Sequence, residues 1–463
     1  MIVRARTVVT MDGAPIEDGA VCVHRDRIVE VGKFSELATL SRTVEAKDEV
    51  MDLGEHIVLP GLINAHCHLD YTCLRDRIPP QSLFTDWIRA INAEKAKLAP
   101  SDYLRSIADG FAEARRFGTT SIVNLAAFPE LIAQLPPQLL RTWWCPELID
   151  VSGQKKSAMQ ATRPPIGRTR PVASLPPQNI SEIVSAALRN LKSIPNNRGG
   201  FGLAPHAPFT ASAELYRACE KIAGHDRFLL TTHVAESREE MEMFCERSGP
   251  LFEFLKSLRR PMDDCGANTA LAAFLEKLNE PRSEAGSPAS PSSPRDESVR
   301  LADRSGNVNR PYHRWLIAHL NELAESDFDL LARVPRMLSI VHCPRSHVYF
   351  QHSPFGFERL DALGLNICLG TDSLASNTDL SLSAEMREFR RVHAGISAEK
   401  ILAMVTVNAA KAIQAEDFLG KICAGYQADM IAIPAISKTS SAYESIISFT
   451  AEVPWMMIGG EPA

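Results

Sequence analysis

The stretch from His56 to Thr72, HIVLPGLINAHCHLDYT, decides how the rest of the chain is read. Side chains alternate faces along a β-strand, so His66 and His68, at the end of the apolar run that begins at Ile57, point the same way with Cys67 opposite. Gly61 after Pro60 lets the chain enter that strand through a tight bend, and Asp70 and Tyr71 follow where a strand end opens into a loop. Two imidazoles converging at a strand end suit a borderline divalent metal such as zinc or iron. The alternative is two histidines satisfied by backbone, so the remaining ligands have to come from elsewhere in the chain.

Working outward, apolar strand-like runs alternate with helix-like stretches from Ile57 onward, the pattern of repeated βα units. Eight such runs occur: HIVLPGLIN, TTSIVN (119–124), LLRTWWCPELI (139–149), GFGLAPH (200–206), FLLTTHV (228–234), WLIAHL (315–320), LSIVHC (338–343) and NICLGTD (366–372). Between them lie helical candidates, among them 102–117, 181–193, 211–223, 237–248 and 327–334, several opened by Ser or Asp at an N-cap position. Eight strands each followed by a helix is the arithmetic of a TIM-type barrel. Residues 1–55 read instead as short strands with turns at Asp12-Gly13 and Asp18-Gly19, and residues 415–463 also revert to strands, which predicts that the two chain ends pair with each other. Two stretches break the rhythm. Residues 151–180 predict a long connection, and 279–311, rich in Ser, Pro and charge, predict a disordered insertion in the barrel.

Composition narrows the function classes. Over 463 residues, 45% are hydrophobic and 23% charged, ordinary values for a soluble globular protein with ample core material. A net charge of -6 gives no basic footprint for nucleic acid. The start, MIVRARTVVTMDG, lacks the apolar core of a signal peptide, and no run approaches the roughly 20 apolar residues that span a bilayer. The expectation is a cytoplasmic enzyme acting on a small molecule, without nucleic acid or membrane partners, and with homo-oligomerisation left open. Ten cysteines without a C-x-x-C pair predict reduced thiols rather than a disulfide framework.

Five of the eight runs end in a residue that can bind metal or move a proton: His66 and His68, His206, His233, His319 and Asp372. In a barrel those ends share one rim, where such folds place their chemistry. His66, His68, His233 and Asp372 offer three neutral donors and one carboxylate, a set for one catalytic zinc or iron with a position left open for water. The ion would lower the pKa of that water towards neutrality, with Asp372 placed to take its proton. Glu236, three residues beyond His233 in HVAES, can shuttle a proton to a substrate ring nitrogen, or can simply be a first-turn helix acid. His206 and His319 remain for the substrate and the attacking hydroxide. HCPRSH (342–347) brings Arg345 and His347, which bind an anionic or heterocyclic group or belong to the loop, and Trp87 and Phe84 form an apolar wall or pack in the core.

The set LPGLINAHCHLD, GLAPHAPFT, THVAES, IAHLNEL, HCPRSH and LGTDSLASN resembles the amidohydrolase superfamily, in its mononuclear deaminase and chlorohydrolase branch. The resemblance implies a (β/α)8 barrel over residues 56–414 and a small composite β-sandwich domain from residues 1–55 and 415–463. By motif match it also implies His66, His68, His233 and Asp372 as ligands of one zinc or iron, Glu236 as proton shuttle, and His206 and His319 as substrate and hydroxide contacts. His206 stands where two-metal relatives carry a bridging lysine, which again predicts one ion. GLAPHAPFT, HVAES and TDSLASN are similar to methylthioadenosine/S-adenosylhomocysteine and aminofutalosine deaminases. Where the former carry a ribose-holding glutamate, nine positions beyond the tryptophan, this chain has Ala96, with Glu94 two residues early; many relatives have asparagine where it has His347. The reading is an aminohydrolase that removes a ring amino group from an adenine-containing nucleoside. Guanine deamination, triazine dechlorination and a catalytically silent scaffold are the alternatives.

Overall fold

The computed structural model describes residues 1–41, 49–150, 179–226, 228–279, 314–334, 337–435 and 441–463. Most of the predicted connection 151–180, and all of the predicted insertion 279–311 except Asn279, lie outside these residues. In chain order the strands are β1 (Ile2–Val8), β2 (Ile16–His24), β3 (Arg27–Lys33), β4 (Val50–Asp52), β5 (His56–Pro60), β6 (Leu62–Cys67), β7 (Thr119–Ala126) and β8 (Arg141–Leu148). They continue with β9 (Gly202–Pro205), β10 (Leu229–Val234), β11 (Trp315–His319), β12 (Leu338–His342), β13 (Asn366–Leu369), β14 (Met430–Pro434), β15 (Trp455–Ile458) and β16 (Glu461–Pro462).

Strands β6 to β13 pair in sequence order, each parallel to the next. A parallel bridge between Cys67 and Asp372 joins the last strand to the first and closes the barrel. The apolar alternation explains why these segments form it. Ile63, Val123, Leu125, Trp143, Cys145, Ala204, Leu229, Leu316, Val341 and Cys368, drawn from all eight strands, make one cluster inside. Their alternate neighbours, such as Leu203, Leu230, Trp315 and Ile340, join a larger cluster with the surrounding helices. Burying each such side chain contributes about 1.5–3 kcal/mol. The helices begin where the sequence caps them: the side chains of Ser237, Thr269, Ser381 and Ser397 each accept a hydrogen bond from a first-turn backbone N–H.

Both chain ends build the other sheet, in the order β16-β15-β14-β5-β1-β2-β3 with β4 beside β1. Here the structure divides what the sequence presents as one run. His56–Pro60 pairs with β14 and β1 in the terminal sheet, and only Leu62–Cys67 enters the barrel. Gly61 sits between them at a point where a Cβ would run into Thr120. All ten cysteines are free thiols. No helix among the described residues is long and apolar enough to cross a membrane.

Candidate metal centre and active site

The barrel closure brings the polar strand ends together. The His66 ring lies 5.0 Å from the rings of both His68 and His233, centroid to centroid. Nε2 of His68 and Nε2 of His233 are 3.4 Å apart. Asp372 Oδ1 stands 3.7 Å from His66 Nε2 and 3.8 Å from His68 Nε2. Four ligands around a zinc at roughly 2.1 Å would be about 3.4 Å apart in a tetrahedron, so this spacing suits one ion. Both ring nitrogens of His66 and Nδ1 of His68 are buried without a hydrogen-bond partner among the described residues. Such orphaned groups cost about 1–3 kcal/mol each, a cost that a bound cation removes at the ligating nitrogens.

Neighbouring groups aim these ligands. His233 Nδ1 donates to the His206 carbonyl over 2.8 Å, which leaves Nε2 as its free acceptor. Ser346 Oγ donates to Asp372 Oδ2 at 2.6 Å, and the Ser373 N–H reaches Oδ1 at 2.8 Å. Gly370 lets the end of the last strand approach the first so closely that a Cβ there would be 2.7 Å from the His66 carbonyl oxygen. Burial, and then the neighbouring His66, hold His68 well below the usual imidazole range. Burial, and then His206, do the same to His233. Burial opposes ionisation of Asp372, but the imidazoles of His66, His319 and His68 outweigh it and keep its pKa well below the usual carboxylate range. Neutral imidazoles with one anion form the donor set that a divalent ion requires.

Glu236 approaches from the same rim. After β10 the backbone turns at Ala235, with φ of 52°, and Ser237 caps the helix Arg238–Glu246. Glu236 donates its N–H to Glu240 Oε2 at 2.8 Å and accepts on its carbonyl from Asn321 Nδ2 at 3.1 Å. Its carboxyl Oε1 faces His319 Nε2 at 3.6 Å. Burial, followed by the charge of Asp372, raises its pKa well above the usual carboxylate value, which favours the protonated acid. His319 joins the site through an irregularity. In β11 the inward position is held by Leu316, inside the barrel, so alternation alone would turn His319 outward; φ values of 80° at His319 and 50° at Leu320 rotate the strand end.

His206 places Nδ1 2.7 Å from Thr210 Oγ1 and Nε2 4.0 Å from Glu147 Oε1. Burial lowers its pKa to about 4 and, for His319, to about 3, so both are neutral at pH 7. The HCPRSH residues divide differently. His342 faces the outer layer, stacked 3.9 Å from Phe355. His347 Nδ1 is 3.0 Å from Asn321 Oδ1, one hydrogen bond removed from the Glu236 backbone. Of the two roles open to Arg345, substrate binding or loop structure, its pairing with Asp379 at 2.6 Å and with Thr378 favours the loop. Trp87 stacks on Phe84 and meets Phe350 edge-on at 5.0 Å. Glu94 is engaged by Lys97 at 2.5 Å.

Several groups escaped the sequence reading: Glu147, Lys95, Asn321 and Ser346. Glu147 could have been found by counting, since Trp143 and Cys145 face inward and the residue two further on must as well. Nothing in the local sequence marks the other three. Glu147, His206 and His233 form a second cluster whose ligand atoms lie within 4.8 Å of one another. The free nitrogen of His233, Nε2, faces His68 and the first cluster, which leaves Glu147 and His206 as the donors specific to the second, too few for a cation of its own.

The fold and this rim define a barrel hydrolase with a metal-binding donor set, and comparison with known proteins gives it a family. The model of the Amidohydrolase family matches residues 57–454, and the chain belongs to that family. It is 26% identical over 427 residues to a 5-methylthioadenosine/S-adenosylhomocysteine deaminase of Pyrococcus furiosus, covering 90% of this chain and 83% of that protein. Among solved structures, Helicobacter pylori aminofutalosine deaminase in complex with methylthio-coformycin superposes with a TM-score of 0.77 at 19% identity, over 100% and 99% of the two chains. An adenosine deaminase from Xanthomonas campestris with bound zinc superposes with a TM-score of 0.73 at 20% identity, over 100% and 92%.

Proposed function

We propose that the protein is a mononuclear metal-dependent aminohydrolase that replaces a ring amino group of an adenine-containing nucleoside by oxygen and releases ammonia. The observation that carries this reading is the convergence of three imidazoles and the Asp372 carboxylate beside the buried Glu236 carboxyl, whose pKa burial raises. His66, His68, His233 and Asp372 would hold a zinc or iron ion, with His206 rather than a lysine at the end of β9. When bound, such an ion supplies the Lewis acidity that makes water nucleophilic at neutral pH.

The remaining work falls to the protein. Asp372, a carboxylate before the reaction, accepts the proton that the attacking water loses. Glu236 donates its proton to the ring nitrogen next to the amino-bearing carbon, and so localises the ring electrons as the carbon becomes tetrahedral. His319, 3.6 Å from Glu236, hydrogen-bonds the incoming oxygen, and His206 holds the ring in plane. Asp372 passes its proton to the amino nitrogen, the C–N bond breaks to release ammonia, and the hydroxyl proton returns to Glu236 as the ring carbonyl forms. Relatives named for deamination of adenine nucleosides support that substrate class. The test is ammonia release by the zinc- or iron-loaded protein from a panel of adenosine derivatives, guanine and chlorotriazines. Turnover confined to adenine nucleosides is expected. Turnover of guanine or dechlorination of the triazines alone would overturn the substrate class, and no turnover at all would overturn the reaction.

A further inference from the structure

Glu147 is a rim carboxylate to which the proposed reaction gives no task. It ends the inward row Trp143, Cys145, Glu147 of β8, and its side chain is 9% exposed. Oε1 lies 3.8 Å from His68 Nδ1 and 4.0 Å from His206 Nε2, both beyond hydrogen-bonding distance. No other group among the described residues forms a hydrogen bond or ion pair with it. A buried carboxylate left without donors is costly, and a ligand that brings donors would remove that cost. Burial raises the Glu147 pKa to about 7 against the opposing charge of Lys95, which is itself hydrogen-bonded at 2.8 Å to Tyr71, whose ring stacks on His68. The carboxylate thus stands one imidazole ring away from the proposed ion, between a ligand and a substrate contact.

We infer that Glu147 is a substrate-binding residue that accepts hydrogen bonds from hydroxyl groups carried beside the reacting ring, as in a ribose diol. Adenine itself has few donors to offer: one amino group is the leaving group, and its ring nitrogens are acceptors. The donors that match a second buried carboxylate are therefore the sugar hydroxyls. The subsite rests on the nucleoside reading above, and it selects ribosides over deoxyribosides.

The experiment measures binding of the unreactive products inosine and 2′,3′-dideoxyinosine to the zinc-loaded protein by calorimetry, in wild type and in Glu147→Gln, with metal content determined for both. A hydrogen bond to a charged acceptor predicts a preference for inosine of roughly 10- to 100-fold in wild type, largely lost in the variant because inosine alone weakens. Equal affinities in wild type would overturn the inference. So would a variant that loses affinity for both compounds alike or loses its metal, since Glu147 would then act through His68. If inosine is preferred and the variant abolishes that preference while wild type deaminates no adenosine derivative, the subsite stands and the proposed reaction fails.

Discussion

Replacing Glu236 by glutamine separates proton transfer from every other role that residue could have. Its backbone is fixed by the hydrogen bonds to Glu240 and from Asn321, at 2.8 and 3.1 Å, and neither involves the side chain. The amide of glutamine has the size of the acid and so keeps the contact with His319, now 3.6 Å away. What disappears is a proton that burial and Asp372 hold on the acid. Positioned general acids contribute roughly 10²- to 10⁴-fold, equivalent to about 3–5 kcal/mol of barrier. The expected result is a fall of that size in kcat for ammonia release from an adenine nucleoside, with KM changed little and metal content unchanged. A kcat within about tenfold of wild type would refute the role given to Glu236.

Other perturbations probe the support around the site. Ser346→Ala removes the 2.6 Å hydrogen bond that orients Asp372, and metal affinity measured by competition with a chelator should fall about 10- to 100-fold; unchanged affinity would contradict the positioning. Gly370→Ala puts a methyl group 2.7 Å from the His66 carbonyl oxygen and 2.9 Å from Val341 Cγ1. Overpacking at a backbone junction should lower unfolding stability by about 1–3 kcal/mol, read by denaturant titration, and an unaffected midpoint would speak against the close approach. Burial holds His347 at about 4 and His352 at about 3. Their unfolded counterparts take up protons near pH 6.5, so the stability they contribute is present above that pH and is lost as the pH falls towards 4. Denaturation at stepped pH should show a loss of a few kcal/mol across that window, and His347→Gln with His352→Gln should remove part of it, His206 and His319 being held low in the same way.

The sequence carries the barrel because its inward residues repeat with a period of two. Leu316, Val341 and Cys368 fall inside as the apolar runs require, whereas Ile63 and Ala65 also face in, so His66 and His68 reach the rim past a register shift between Asn64 and Cys67 that the alternation does not show. Counting the same period would also have placed His342 outside, since Val341 faces in. Other features were beyond a local reading. The break at Gly61 depends on Thr120 and on β14, both far along the chain. His319 reaches the site through a left-handed backbone that no neighbouring glycine announces. Arg345 reads as a free cation until Asp379, 34 residues away, is seen beside it. Pairings of this kind are set by tertiary packing, which leaves no periodic trace.

Metal content determined by mass spectrometry on protein reconstituted with zinc or iron, for wild type and for His66→Ala, His233→Ala and Asp372→Asn, bears most directly on the centre. One ion per wild-type chain, and well under one in each variant at equal folded fraction, is the expected outcome. Wild type that retains no ion, or a His233→Ala variant that holds a full equivalent as tightly as wild type, would mean that these side chains do not share a cation.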